Sequence, residues 1–189
     1  LVDFTAKRIL PQHISKNGWW RHVALADLDG DNDLDIIAGG FGRNHGITVS
    51  DQDPIALWIK DFDGNGDRDF VYEYTHQGKR YPLFGRDELI KESVQYRKQF
   101  LKNRAFAGKT FDELFDNKDL SGAELLQVST TESAVLWNQF GNFQQETLPD
   151  PFQQSPIYAS WNNGSSVWLA GGADAVHTSI GRQESFCGG

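Results

Sequence analysis

The sequence predicts a mainly β fold, and three observations carry that prediction. Three stretches of similar pattern recur, each with an alternating apolar lead-in, a nine-residue loop and an apolar exit. The residues flanking those loops are rich in Val, Ile, Leu and Trp, which suit a pleated, half-buried surface. The 189 residues include 19 glycines and 6 tryptophans, a mixture that fits many short strands joined by tight turns.

The first stretch enters through His22-Val-Ala-Leu-Ala, turns through Asp27-Leu-Asp29-Gly30-Asp31-Asn-Asp33-Leu-Asp35 and leaves through Ile-Ile-Ala-Gly39-Gly40. The second enters at Leu57, turns through Asp61-Phe-Asp63-Gly64-Asn65-Gly66-Asp67-Arg-Asp69 and leaves through Phe-Val. The third runs from Ile157 to Gly172 and has lost the acids: Ala159, Trp161, Asn163, Ser165 and Val167 stand where the first loop has Asp27, Asp29, Asp31, Asp33 and Asp35. It is expected to keep the shape of the repeat and to bind no ion.

Between the second and third stretches the sequence changes character. From about Arg86 to Lys118 strong helix formers replace β-branched residues, and Leu89, Ile90, Ser93 and Val94 follow helical spacing. Ala134 to Pro149 then reads as a hairpin turning at Gly141-Asn142. The expected division is residues 1–75 for two acidic-loop repeats and 76–130 for a largely helical insertion. Residues 131–189 complete it, with a degenerate repeat and the start of a further strand pair near Ser185-Phe-Cys-Gly-Gly. The chain contains no Met and begins at Leu1, so it reads as a piece of a longer protein.

The acidic loops carry the chemistry. Four or five carboxylates within one such loop repel one another without a counter-ion. Alternate residues turn their oxygens toward one centre, and the glycines allow the curl. Such a set of hard oxygen donors suits Ca²⁺, which takes 6–8 oxygens in flexible geometry. Mg²⁺ demands a tight octahedron and is less suited. Zinc is disfavoured because no His or Cys is interleaved. Two Ca²⁺ sites are expected. Asp27, Asp29, Asp31 and Asp35 supply side chains in one, and Asp61, Asp63, Asn65 and Asp69 in the other. Asp33 and Asp67 contribute backbone carbonyls. An EF-hand fits poorly, since its twelfth-position Glu is replaced by Ala38 and Tyr72 and the flanks read as strands.

At these residues the chain resembles the FG-GAP/VCBS repeat family, the repeats of integrin α-subunit β-propellers and of large bacterial surface proteins. The segment Leu136-Trp137-Asn138-Gln-Phe140-Gly141-Asn142-Phe143 resembles the hairpin that precedes the next loop. The stretch Gly78-Lys-Arg-Tyr81-Pro82-Leu-Phe84-Gly-Arg86-Asp87-Glu88-Leu89 is similar to an insert in VCBS-repeat proteins of Bacteroidetes-type bacteria, some grouped with the ASPIC/UnbV proteins. The resemblance implies a partial or complete β-propeller-like array of about three four-stranded repeats, with a helical insertion and calcium in the loops. The expected function is a calcium-stabilised binding or adhesion module of an extracellular, cell-surface or periplasmic protein, with a polysaccharide-binding or -processing accessory domain or a purely structural spacer as the alternatives. Exposed edge strands would then be covered by the rest of the chain or by a second copy.

Other function classes find less support. A net charge of −8 argues against a general nucleic-acid binder. No run approaches the roughly 20 apolar residues of a membrane helix. The single Cys187 permits no internal disulfide. None of His13, His22, His45, His76 and His177 lies in a metalloprotease pattern, no Gly-x-Ser-x-Gly elbow frames a nucleophile, and Gly39-Gly-Phe-Gly42 lacks the Lys of a phosphate loop. No enzyme is expected. Trp58, Trp137 and Trp168 are expected in the core, Trp19 and Trp20 before a strand, and Trp161 on a loop tip where it would stack on a carbohydrate ligand. Arg86, Asp87, Glu88 and Lys91 are expected on a solvated helix face.

Overall fold

The computed structural model describes residues 2–3, 8–9, 16–92, 96, 101–164, 166–172 and 186–188. The fold is mainly β, built from antiparallel sheets. In chain order the strands are β1 (Val2–Asp3), β2 (Arg8–Ile9), β3 (His22–Ala26), β4 (Asp35–Gly39), β5 (Ile55–Lys60), β6 (Asp69–His76) and β7 (Lys79–Pro82). Among the described residues four α-helices follow: α1 (Arg86–Glu92), α2 (Asn103–Phe106), α3 (Phe111–Leu114) and α4 (Asn117–Leu120). The chain then returns to strands: β8 (Glu124–Val128), β9 (Ala134–Gln139), β10 (Asn142–Thr147), β11 (Ile157–Asn162), β12 (Val167–Gly171) and β13 (Phe186–Gly188).

Contacts divide the chain into two units. One comprises Leu1–His45, Thr131–Val176 and Arg182–Gly189; the other comprises Gly46–Thr130 and His177–Gly181. This differs from the expected division, because the second acidic loop and the helices share a unit and a boundary at 75 falls inside β6.

In the first unit a four-stranded sheet has the order β10-β9-β4-β3. The first acidic hairpin is therefore continued by the hairpin at 134–147, through Ile36↔Leu136, Ile37↔Val135 and Ala38↔Ala134. A second sheet has the order β11-β12-β13. The strand expected near the C-terminus is β13, which pairs with β12. The two sheets meet through Ile37 and Val135 on one side and Ile157 and Leu169 on the other, flanked by Ala24, Trp137 and Val167.

The glycines after β4 permit close backbone approach. A Cβ on Gly40 would lie 2.5 Å from the Thr131 carbonyl oxygen, and one on Gly42, at φ +86°, 2.5 Å from that of Gln153. Gly42 N–H donates to the Thr131 carbonyl and Arg43 N–H to that of Gln153. His45 Nε2 lies 2.9 Å from Thr131 Oγ1, and Arg43 pairs with Glu132. The first unit thus closes on itself where residues 46–130 depart and return. This explains Gly39-Gly-Phe-Gly42 without a phosphate ligand.

In the second unit a sheet of order β7-β6-β5-β8 carries the second acidic hairpin in its middle. Strands occupy both ends of the stretch expected to be largely helical, at Lys79–Pro82 and Glu124–Val128. The helices between them bury Leu89, Phe106, Phe111, Leu114, Phe115 and Leu120 with Val71 of the sheet, and Trp58 packs against that core. Phe111 and Phe115 stack with centroids 4.6 Å apart. Capping boxes start the last two helices. Thr110 and Glu113 bond reciprocally before α3, and Asp116 and Asp119 before α4. Residues 93–95 and 97–100 of the expected helical run lie outside the described residues.

Candidate metal centres

Each acidic loop joins the two strands of an antiparallel hairpin. The ladder ends at Ala26↔Asp35 in the first and at Lys60↔Asp69 in the second. Between those pairs the carboxylates organise the backbone. Asp27 accepts from Gly30 N–H at 2.7 Å and from Asn32 N–H at 3.1 Å. Asp29 accepts from Asp31 N–H, and Asp31 from Asp33 N–H. Asp35 Oδ2 accepts from Leu28 N–H at 3.0 Å. The second loop repeats this network and adds one bond, from Asn65 N–H to Asp61. Asp61 accepts from the amides of Gly64, Asn65 and Gly66, Asp63 from that of Asn65, Asn65 from that of Asp67, and Asp69 from that of Phe62. The left-handed positions correspond too: Gly30 and Asn32 in one loop, Gly64 and Gly66 in the other.

These bonds turn carboxylate oxygens toward a common centre. One oxygen from each of Asp27, Asp29 and Asp31 lies within 4.8 Å of the others, and the same holds for Asp61, Asp63 and Asp69. The amides of Gly66, Gly64 and Asn65 hold the Asp61 carboxyl below the ordinary carboxylate range. The donor set is all oxygen and matches a hard divalent cation of calcium's size better than zinc. The two loops differ at the ninth position. Asp35 is 1% exposed and its Oδ1 accepts from Asn138 N–H on β9 at 2.8 Å, so both of its oxygens are held by backbone amides. Asp69, 3% exposed, joins the cluster of its own loop. Asp33 and Asp67 stand outside both carboxylate clusters.

The third hairpin departs from its expected shape. Its ladder continues through Trp161↔Trp168 to Asn162↔Val167, after a register shift between Ile157 and Ala159. The turn shrinks to residues 163–166, held by Asn162 Oδ1 accepting from Gly164 N–H and Asn163 Oδ1 from Ser166 N–H. Ser165 lies outside the described residues. Trp161 therefore sits in β11 and not on a loop tip. Trp168, expected in the core, is 48% exposed. Trp58 and Trp137 are half-buried against the two cores. The turn of the 134–147 hairpin is Phe140-Gly141, one residue earlier than expected, with both residues at positive φ.

His22 Nε2 lies 2.8 Å from Ser160 Oγ, and His45 is tied to Gly42 and Thr131. His13 and His177 lie outside the described residues. On α1, Asp87 and Lys91 are exposed, whereas Arg86 and Glu88 are half-buried. A cluster that the sequence did not announce lies between β6 and α3. Arg80 bonds both Glu73 and Asp112, and its guanidinium stands 5.3 Å from the Phe111 ring centroid. Burial pushes the Glu73 carboxyl up, against the attraction of Arg80.

Comparison with family models, with curated proteins and with solved structures finds no match for this chain.

Proposed function

We propose that the chain is a calcium-braced segment of a β-propeller-like array, serving as a binding or adhesion module of a cell-surface, secreted or periplasmic protein. The observation that carries this reading is the duplicated loop. Asp27–Asp35 and Asp61–Asp69 build the same carboxylate-to-amide network and gather three acidic side chains each. Acids clustered without a cation repel one another, so conformation and charge together favour a bound divalent ion. Asp27, Asp29 and Asp31 would hold one ion, and Asp61, Asp63 and Asp69, with Asn65, the other. Asp35 anchors the first loop to β9. A bound cation would neutralise each cluster and make metal affinity part of folding stability. The partner is a protein or carbohydrate ligand, and edge strands would be covered by further chain or a second copy. No helix among the described residues is long and apolar enough to cross a membrane.

The test is thermal unfolding in millimolar CaCl₂ and in EGTA, with Asp27→Ala and Asp61→Ala alongside. A calcium-dependent rise in Tm that each variant reduces is expected. Identical Tm values in calcium and EGTA would sink the reading.

A further inference from the structure

We infer that the third hairpin binds a neutral polysaccharide through an aromatic platform formed by Trp161 and Trp168. The inference deepens the binding-module reading and rests on it. Trp161 and Trp168 are direct cross-strand partners, so they share one face of the β11–β12 hairpin. They are 61% and 48% exposed. The same face carries Ala159 and Ala170, a second direct pair, whose methyl groups leave the floor beside the indoles low. The opposite face holds Leu169 in the core and Ser160 against His22. The hairpin is therefore fixed from behind, and its outer side presents two large rings.

Exposed tryptophans at adjacent positions are costly on a surface without a partner. The chemistry around them narrows the partner. From Ile157 to Gly172 no residue is charged, in a chain whose charged fraction is 23% and whose net charge is −8. An anionic or cationic ligand would find no counter-charge within this hairpin. The polar groups at its open end are neutral amides and a hydroxyl, from the exposed Asn162, Asn163 and Ser166. A pyranose ring suits both features. Its face of C–H bonds lies against the negative face of an indole, and its hydroxyls exchange hydrogen bonds with uncharged amides. Two rings on one face would engage successive sugars, which favours a chain over a monosaccharide.

The experiment is native affinity electrophoresis of the whole chain in gels containing a β-glucan, a xylan, a mannan or dextran, with alginate as the anionic control. Wild type, Trp161→Ala, Trp168→Ala and the double variant are run together, and Tm and solution mass are measured on each. Retardation by at least one neutral polymer is expected, weakened about tenfold by either substitution and abolished by both, at unchanged Tm. Three results would overturn the proposal: no retardation in any neutral gel, retardation that survives the double variant, or a dimer that the double variant dissociates. The calcium-dependent Tm of the wild type is read separately. Its absence would refute the metal brace and leave the polysaccharide result standing, and its presence without retardation would do the converse.

Discussion

In the two acidic hairpins the ladder stops short, leaving the chain between Ala26 and Asp35 and between Lys60 and Asp69 outside it; in the third, aligned with them, only residues 163–166 lie outside. The first two are held open by side-chain carboxylates that take up backbone amides the ladder would otherwise use. In the third those acids are gone, and strand pairing advances into the vacated positions to make Trp161↔Trp168 and Asn162↔Val167. The open loop is thus a conformation that particular side chains impose, and where they are absent the backbone returns to β-ladder bonding. One of the residues that stands where the first loop has an acid, Trp161, pairs there with Trp168 on a common face.

The largest test of this comparison strikes the ninth position. Asp35→Ala removes the acceptor for Leu28 N–H and Asn138 N–H, two amides left without their partner. A loss of about 3 kcal/mol is expected for the first unit. Asp69→Ala removes the acceptor for Phe62 N–H and one member of the second cluster, with a smaller loss of about 2 kcal/mol. Urea titrations followed by tryptophan fluorescence measure both. A cost for Asp35→Ala below about 0.5 kcal/mol, the ordinary range of a surface change, would show that the loop does not depend on this carboxylate.

Calcium removal comes next. On the proposed calcium reading, free calcium at about a hundred times Kd is expected to stabilise each unit by about 2.7 kcal/mol, and EGTA to remove that amount. Asp27→Ala and Asp61→Ala are expected to abolish the increment in their own units while leaving the other transition in place. An increment that vanished from both units with one substitution would argue against two independent braces.

The hairpins themselves were legible in the sequence, because alternation and turn residues are local signals. The sheets they form were not. That β9 pairs with β4 is set by Ile36↔Leu136 and Ile37↔Val135, pairs far apart in the chain, and nothing near either strand announces the match. The short strands β7 and β8 lie at the two ends of the stretch 76–130 expected to be largely helical, outside Arg86–Lys118 where the helix formers concentrate, and it is pairing with β6 and β5 that defines them. The Phe140-Gly141 turn was displaced by one residue because a phenylalanine at φ +55° is not what turn preferences suggest. Of the two clusters, the acidic loops were readable from spacing alone. The partnership of Asp35 with Asn138, and of Trp161 with Trp168, required the register.

A smaller effect separates the two kinds of turn. Asn163→Ala removes the acceptor for Ser166 N–H and is expected to cost about 1 kcal/mol, equally in calcium and in EGTA. Asp27→Ala is expected to cost more in calcium than in EGTA, since it removes both an amide acceptor and a proposed metal ligand. Equal costs under both conditions for Asp27→Ala would assign that residue to turn geometry alone.

The smallest expected effect contrasts these carboxylates with Glu73. Asp35 and Asp69 are buried where backbone amides receive them. Glu73 is buried at 7% exposure beside Arg80, and burial outweighs the guanidinium, so its carboxyl titrates above the ordinary glutamate range. The folded state therefore holds the Glu73 proton more tightly than the unfolded chain does. That contribution is complete below the unfolded glutamate pKa, about 4.3, and is lost as pH rises through the higher folded value. Glu73→Gln mimics the protonated side chain and should match wild type in the acid range. It should then exceed wild type by up to about 1 kcal/mol once the carboxylate is charged, despite losing the ion pair to Arg80. Urea titrations of both proteins from pH 4 to pH 8 measure the difference, and a variant less stable than wild type at pH 8 would mean that the Arg80 pair outweighs the burial of Glu73.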